Sequence, residues 1–551
     1  MPDPPPTTLS DLIHSISGGK GTQKSTPLLN LIVTHYADRI GLFEYIDRLV
    51  PWDEKTWPAS PGMLTMSIVH LFCLERWRTI LLDEIPYQLG NNDFECLLGI
   101  PIDPEVLVPG VYEPLFDGLA LTDPGVVFGT LAENVHAAFP DLTMRSPPAN
   151  TTFHLIYEKY VIDDAGGGLT LHPVRHDNEE FVSHTVQTGI VADGSGLLYY
   201  ADTIPPSISE EEWTANVLAD LSTRANFRSP EVTVLADAAL FLGRAQCNRI
   251  KTPLPMGFIS RMPAKGCTPP SRAIVKQALD EGAWTTIGAC CREPSGGAER
   301  LAYQSHELST SMYGVPCRAI VYRPIGSTDK VHKRMEQQRE VIAAYEEHFA
   351  QCLFDSPSSA AKEIKNFRRS VRTPYFTVKC EIIPEDTDYL VVISGIEPRK
   401  DRVENESKSG APFVLITSAP TAGVDSREVL MRWKEGPNVK RMHTNLRRSC
   451  SLAPGFLKGN RIRGLMLVLH LSHLIKSALS AVAQARMHAL GKPPYMSALI
   501  APLQTPTYLQ IYRGLSPFMV RYKEDSVEIR TRYPKDTASL PYLLQLLDVK
   551  E

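Results

Sequence analysis

Around residue 141 the spacing of apolar residues changes, and this change most limits what the chain can fold into. Before it, "LLNLIVTHYADRIGLFEYIDRLV" (28–50) sets apolar residues three and four apart, the period of an amphipathic helix. "SPGMLTMSIVHLFCLERW" and "PGVVFGTLAENVHAAF" repeat the pattern, each opening near a proline, whose fixed φ suits a first helical turn. After it, "TTFHLIYEKYV" (151–161) and "LTLHPV" read as strands. "TGIVADGSGLLYYADT" (188–203) reads as a hairpin with Asp193-Gly194 as its turn signal. A helix is expected at 209–225, then buried strands at 232–236 and 256–263. Strands first, then alternating helix and strand, predict a mixed sheet covered by helices, of α+β or α/β class.

At 551 residues the chain is too long for one core, and two to four domains are expected. Residues 1–25, rich in Pro, Gly, Ser and Thr, are expected to be a disordered tail, and 26–140 an all-helical N-terminal domain. A first part of the sheet core spans 141–265. An inserted lobe at 266–405 carries its own strands and the charged helix "KVHKRMEQQREVIAAYEEHFAQCLF", and ends in the polar linker "EPRKDRVENESKSG". "APFVLITS" (411–418) resumes the core, whose second part runs over 406–488. A C-terminal tail occupies 489–551.

The net charge of −5 argues against a protein that coats nucleic acid along its whole surface, while leaving room for a local basic groove. Ten cysteines without a CxxC pair show neither a zinc site nor a disulfide framework. No signal peptide is apparent at "MPDPPPTTLS", so a cytoplasmic chain is expected, associated with the nucleoid in a bacterium. "GLMLVLHLSHLIKSALSAVA" (464–483) carries His470, His473 and Lys476, which suits a buried helix better than a membrane span. "GGKGTQKS" near the start lacks the second glycine of a phosphate-binding loop and follows no apolar strand.

One acidic residue stands out. Asp237 ends the apolar run "VTVLA" just where a helical pattern opens. A carboxylate there either caps the helix or serves as a metal ligand or catalytic acid at a strand's C-terminal tip. Several stretches resemble the insertion-sequence DDE transposases: "GLFEYIDRLVPWD", "NTTFHLIYEKY", "VLADAAL", "FISRMPA", "FVLITSAPTAGVDSREVLMRWKEGPNVKRMHTNLR", "APGFLKGNRIRGLMLVLHLSHLIKSAL" and "TPTYLQIY". The resemblance covers most of residues 26–551. It implies an RNase H-like mixed-sheet core, with an insertion before the last catalytic helix, that cuts and joins DNA with Mg²⁺. In that chemistry three carboxylates hold two ions about 3.5–4 Å apart.

On these motifs Asp237 takes the second carboxylate position. Asn150 takes the first, offering a carbonyl oxygen without charge, and Lys440 the third, where an ammonium repels a metal. The basic run expected after the first strand reads "HDNEE" (176–180). The resemblance therefore implies a transposase-like, DNA-binding protein with a degenerate triad and lost strand transfer, holding no cofactor. An active enzyme with Mg²⁺ and substituted carboxylates, or an interaction scaffold that no longer meets DNA, are the alternatives. Between 432 and 463 nine cations stand against Glu435 alone: Arg432, Lys434, Lys440, Arg441, Arg447, Arg448, Lys458, Arg461 and Arg463. Such a cluster is either a surface for duplex phosphates or a basic helix face balanced by acidic neighbours in space. A homodimer is left open. If no metal is held, Lys440 is expected within about 4 Å of the Asp237 carboxylate, as its counterion.

Overall fold

The computed structural model describes residues 24–73, 107–142, 152–163, 169–173, 185–205, 207–224, 227, 232–236, 257–262, 271–289, 302–312, 315–325, 327–370, 375–385, 388–400, 403, 412–418, 424–447, 451–452, 461–490, 506–523, 526–531 and 539–549. In chain order the elements begin with strand β1 (Lys24–Pro27) and helices α1 (Leu28–Arg39), α2 (Leu42–Leu49), α3 (Pro61–Cys73), α4 (Pro109–Ala120) and α5 (Pro124–Ala138). There follow β2 (Thr152–Asp163), β3 (Leu169–Pro173), β4 (Thr185–Asp193), β5 (Leu198–Ile204), α6 (Glu210–Thr223), β6 (Thr233–Ala236), β7 (Gly257–Arg261), α7 (Ser271–Glu281), β8 (Thr285–Ala289), β9 (Ala302–Met312) and β10 (Val315–Ile325). Next come α8 (Ser327–Ala350), β11 (Leu353–Phe354), α9 (Pro357–Ser370), β12 (Phe376–Glu385), β13 (Asp388–Pro398), β14 (Phe413–Thr417) and α10 (Ser426–Arg447). The chain closes with β15 (Ser451–Leu452), α11 (Arg461–Leu490), α12 (Tyr508–Leu515), β16 (Phe518–Lys523), β17 (Ser526–Thr531) and α13 (Leu540–Leu546). It divides into two compact units, residues 1–260 with 432–551, and residues 261–431.

In the first unit the N-terminal helices do not close a core by themselves. The 30-residue α11 packs against α1, α3, α4, α12, α13 and β5. Leu467, Val468, Leu471, Leu474, Ile475, Leu479 and Val482 are buried along it. Among the described residues it is the one single helix long and apolar enough to cross a membrane, and its most apolar window is wholly buried within the fold. Ser472, Ser477 and Ser480 donate to carbonyls three or four residues back, so their burial leaves no hydroxyl unpaired. The Lys476 ammonium lies 5.2 Å from the centre of the Tyr508 ring, a cation–π contact. Gly464 is where α11 crosses α4: a Cβ there would stand 2.1 Å from the Phe116 carbonyl oxygen.

The C-terminal segment belongs to this same core. The Tyr36 hydroxyl donates to the Leu547 carbonyl at 2.8 Å, and Arg39 pairs with Asp548 at 2.8 Å. β1 pairs antiparallel with β16, Lys24 opposite Tyr522. Lys24 and Ser25, expected in a disordered tail, are thus strand residues; residues 1–23 lie outside the described ones. What the sequence presents as a helical domain and a distant tail is one packed body, because neither part alone buries both faces of its helices.

The sheet of this unit has the order β5-β4-β2-β6-β7. β2 pairs antiparallel with β4 and β4 with β5, whereas β2–β6 and β6–β7 are parallel. The far half of β2 also forms a hairpin with β3, and β15 pairs with β3. The β4–β5 hairpin turns as expected at Asp193, whose buried carboxylate accepts from the Ser195 and Leu197 amides at 2.9 and 3.0 Å. α6, capped by Ser209, lies over β4 with the Trp213 indole against Gly189, where a Cβ would meet ring atoms at 2.1 Å. α6 is the helix expected at 209–225, and β6 with β7 the two buried strands.

The second unit holds the antiparallel order β14-β10-β9-β8. β14, expected to resume the core at 411–418, pairs over Phe413–Thr417 with Tyr322–Arg318 of β10. The lobe boundary expected at 405 compares with a division at 431. α10 therefore starts in this unit, where the Tyr322 hydroxyl donates to the Ser426 carbonyl at 2.7 Å. Within the unit, α8, β11, α9, β12 and β13 enclose a small core of Ile342, Phe349, Ala360, Phe367, Tyr375, Phe376, Val391 and Ile393. The three strands there run β11-β13-β12, all antiparallel.

Candidate functional site

From Arg432 onward α10 belongs to the first unit, and its face toward the sheet repeats at helical spacing. Arg432, 6% exposed, donates to the Thr233 hydroxyl of β6 at 3.0 Å. One turn on, Gly436 lies over the parallel pair: a Cβ there would sit 3.5 Å from His154 Nδ1 on β2 and 3.6 Å from Leu235 Cδ2 on β6. Val439 is buried on the next turn. The helix thus advances along β6 in the direction of the strand, from Thr233 to Leu235. Four helical residues rise about 6 Å and two strand residues about 6.6 Å, so the two elements keep step. In sequence Asp237 follows the last residue of β6, and Lys440 is one helical turn past Gly436.

Lys440 is an exposed side chain. Asn150 and Asp237 lie outside the described residues. β2 and β6 pair in parallel with Thr152 opposite Thr233 and His154 opposite Leu235.

His154 is the titratable group at the described end of this region. It is buried, neither ring nitrogen has a hydrogen-bond partner among the described residues, and burial lowers its pKa to about 4, so the ring is neutral at physiological pH. By strand alternation from His154, Ile156 shares its face. His154 is not singled out by sequence; its register with β6 and its place beneath Gly436 are what select it. Among the described residues no group of three or more His, Cys, Asp or Glu is arranged to hold a metal ion.

The cationic run from 432 to 463 is divided by the fold. Arg432 is buried and so drops out of any phosphate-facing surface; its guanidinium lies over β6. Arg461, on the first turn of α11, is 2.7 Å from Glu113 and 3.0 Å from Asp117 of α4. Arg463 is 3.7 Å from Asp202 of β5. Burial raises the Asp202 pKa, and the Arg463 charge opposes that shift. For these two arginines, acidic neighbours in space balance the charge. Lys434 is half-buried. The helix α10 carries Arg441 and Arg447 in its last two turns, while Arg448 and Lys458 lie outside the described residues.

No family model matches the chain, and no curated protein matches it. Among solved structures it is similar to a piggyBac transposase in a synaptic complex with hairpin DNA. The identity is 8% and the TM-score 0.35, over 90% of this chain and 82% of that one. A likeness at that level bears on neither site nor activity.

Proposed function

We propose that this chain is a transposase-related, duplex DNA-binding protein with an RNase H-like core, in which metal-dependent strand cleavage has been lost. The observation that carries the reading is the strand order β5-β4-β2-β6-β7, three strands antiparallel and then two parallel, with α10 laid along β6 at Thr233 and Leu235. That layout supports a site at the C-terminal end of β6, between Asp237 and the α10 turn that carries Lys440. The donor set does not fit Mg²⁺: one carboxylate faces an ammonium, and hard cations require several anionic oxygens. In this reading Lys440 and Asp237 form an ion pair. Because Lys440 is exposed, the pair is screened by solvent and its role is neutralisation rather than stability. DNA contact falls to the last turns of α10, at Arg441, Arg447 and Arg448, with Lys434 and Lys458 beside them.

A second reading rests on the acidic residue that β2 itself carries. In it the enzyme retains metal chemistry with rerouted ligands, Glu158 serving as a carboxylate in place of Asn150. A strand-cleavage assay on duplex DNA with Mg²⁺ or Mn²⁺ separates the two. The first reading expects duplex binding that weakens steeply with salt, and no cleavage. Cleavage that disappears in Glu158→Gln and in Asp237→Asn would replace it with the second. An absence of duplex binding at low salt would remove DNA from both.

A further inference from the structure

The small core of the second unit holds α9 against β12 and β13 by one apolar row, Ala360, Ile364 and Phe367, spaced four and three apart. The opposite side of the helix is left to solvent. Lys362, Lys365, Asn366 and Arg368 are exposed, and Arg369 is the next residue in sequence. Positions 362, 365 and 366 are spaced as one face of a helix, with Arg368 on its flank. The anion on α9 is Glu363, half-buried, which accepts from the Asn366 amide at 3.1 Å.

The neighbouring exposed surfaces differ in charge. α8 mixes Arg334 and Arg339 with Glu336, Glu340, Glu346 and Glu347. The outer face of the hairpin pairs Lys379 with Glu397 at 2.8 Å and adds Glu381. Arg399 and Lys400 add two exposed cations just past β13, and of the two helices of this small lobe α9 is the one whose described side chains carry cations in excess.

We propose that the exposed face of α9 is a second contact surface for duplex DNA, separate from α10 and binding phosphates. Dimensions and charge both support that occupant. From 362 to 368 the cations span about 9 Å of helix axis, and phosphates on one strand recur about every 3.4 Å of DNA axis, so about three lie within reach. A helix with side chains, about 10–12 Å across, matches the roughly 12 Å width of the major groove. The apolar row fixes the helix on its own core, so the cations are offered from a rigid support and less order has to be imposed on binding. The inference rests on the proposed function for the identity of its partner, but on different residues in a different unit.

The test is binding of the full chain to a fluorescent duplex, measured over a salt series. The triple variant Lys362→Ala, Lys365→Ala, Arg368→Ala is expected to lower the slope of log affinity against log salt by about 3, close to 0.9 per lost phosphate contact. Ser358→Lys, which adds a cation on the same exposed side, is expected to raise both affinity and slope. These positions face solvent, so circular dichroism should match between variants and parent. Parent binding with an unchanged slope in the triple variant and in Ser358→Lys overturns the inference and leaves the proposed function standing. Loss of polyglutamate binding in the triple variant, with duplex binding intact, also overturns it, by identifying an acidic protein as the partner. If the parent itself does not bind duplex, the proposed function fails first and this inference with it.

Discussion

Lowering the pH from 7 to 5 should loosen the N-terminal helices through His70. This side chain is 1% exposed in the last turn of α3, with Nε2 3.0 Å from the Thr34 hydroxyl and no partner for Nδ1 among the described residues. Burial lowers its pKa to about 3. In the unfolded chain the ring titrates near 6.5, so above that value both states are neutral and His70 contributes no pH dependence. As the pH falls below 6.5, only the unfolded state takes up the proton, and stability is lost until the pH reaches the folded value near 3. With those two pKa values, local opening becomes easier by about 2 kcal/mol between pH 7 and pH 5. Asp38, Asp193 and Asp202, whose pKa values burial raises, act in the opposite sense as they protonate, so the parent protein alone is not a clean readout. The difference between the parent and His70→Gln is clean, because glutamine keeps a hydrogen-bonding group for Thr34 and does not titrate. Amide exchange of α3, corrected for intrinsic rate, gives the opening free energy at each pH. The parent should lose about 2 kcal/mol more protection than His70→Gln on going to pH 5. Equal losses in the two proteins would refute the assignment of a neutral, desolvated ring.

Gly464→Ala should push α11 away from α4, since its Cβ would enter the Phe116 backbone at 2.1 Å. A cost of roughly 2–4 kcal/mol, read as a lower denaturant midpoint, is expected, with a change below about 0.5 kcal/mol counting against the packing described. Gly189→Ala should be similarly unfavourable on its own, because the Trp213 ring occupies the space, and Trp213→Leu should recover part of the loss by making room. Arg461→Ala removes ion pairs to Glu113 and Asp117 at the surface and should change thermal stability by less than about 1 kcal/mol. In the proposed ion pair, Lys440→Glu would set a like charge beside Asp237; Mg²⁺-dependent quenching or stabilisation in that variant, absent from the parent, is the expected sign of a recreated cation site.

Much of the local structure was legible because its causes are local. Pro124 follows Asp123, whose carboxylate accepts from the amides of Gly125 and Val126, and α5 begins there as the sequence pattern predicts. Asp193 bends the chain between β4 and β5 through bonds to amides two and four residues away. The apolar run that ends before Asp237 is a buried parallel strand, as an unbroken β-branched stretch should be. Each of these depends on residues within a few positions of one another, so the order of side chains carries the information directly.

The site depended on distances that the order of side chains does not encode. The parallel register of β2 and β6, with His154 opposite Leu235, is set by which apolar faces pack across the sheet. Arg461 and Arg463 look like free cations beside their sequence neighbours; Glu113, Asp117 and Asp202 reach them only because α11 crosses α4 and β5. The C-terminal segment joins the N-terminal helices through Tyr36 and Leu547, 511 positions apart. Sequence determined the elements and their faces, because periodicity and caps act over a turn or two. Tertiary packing decided which faces meet, and so which charges are balanced and which residues share a site, because burial and electrostatics depend on proximity in space.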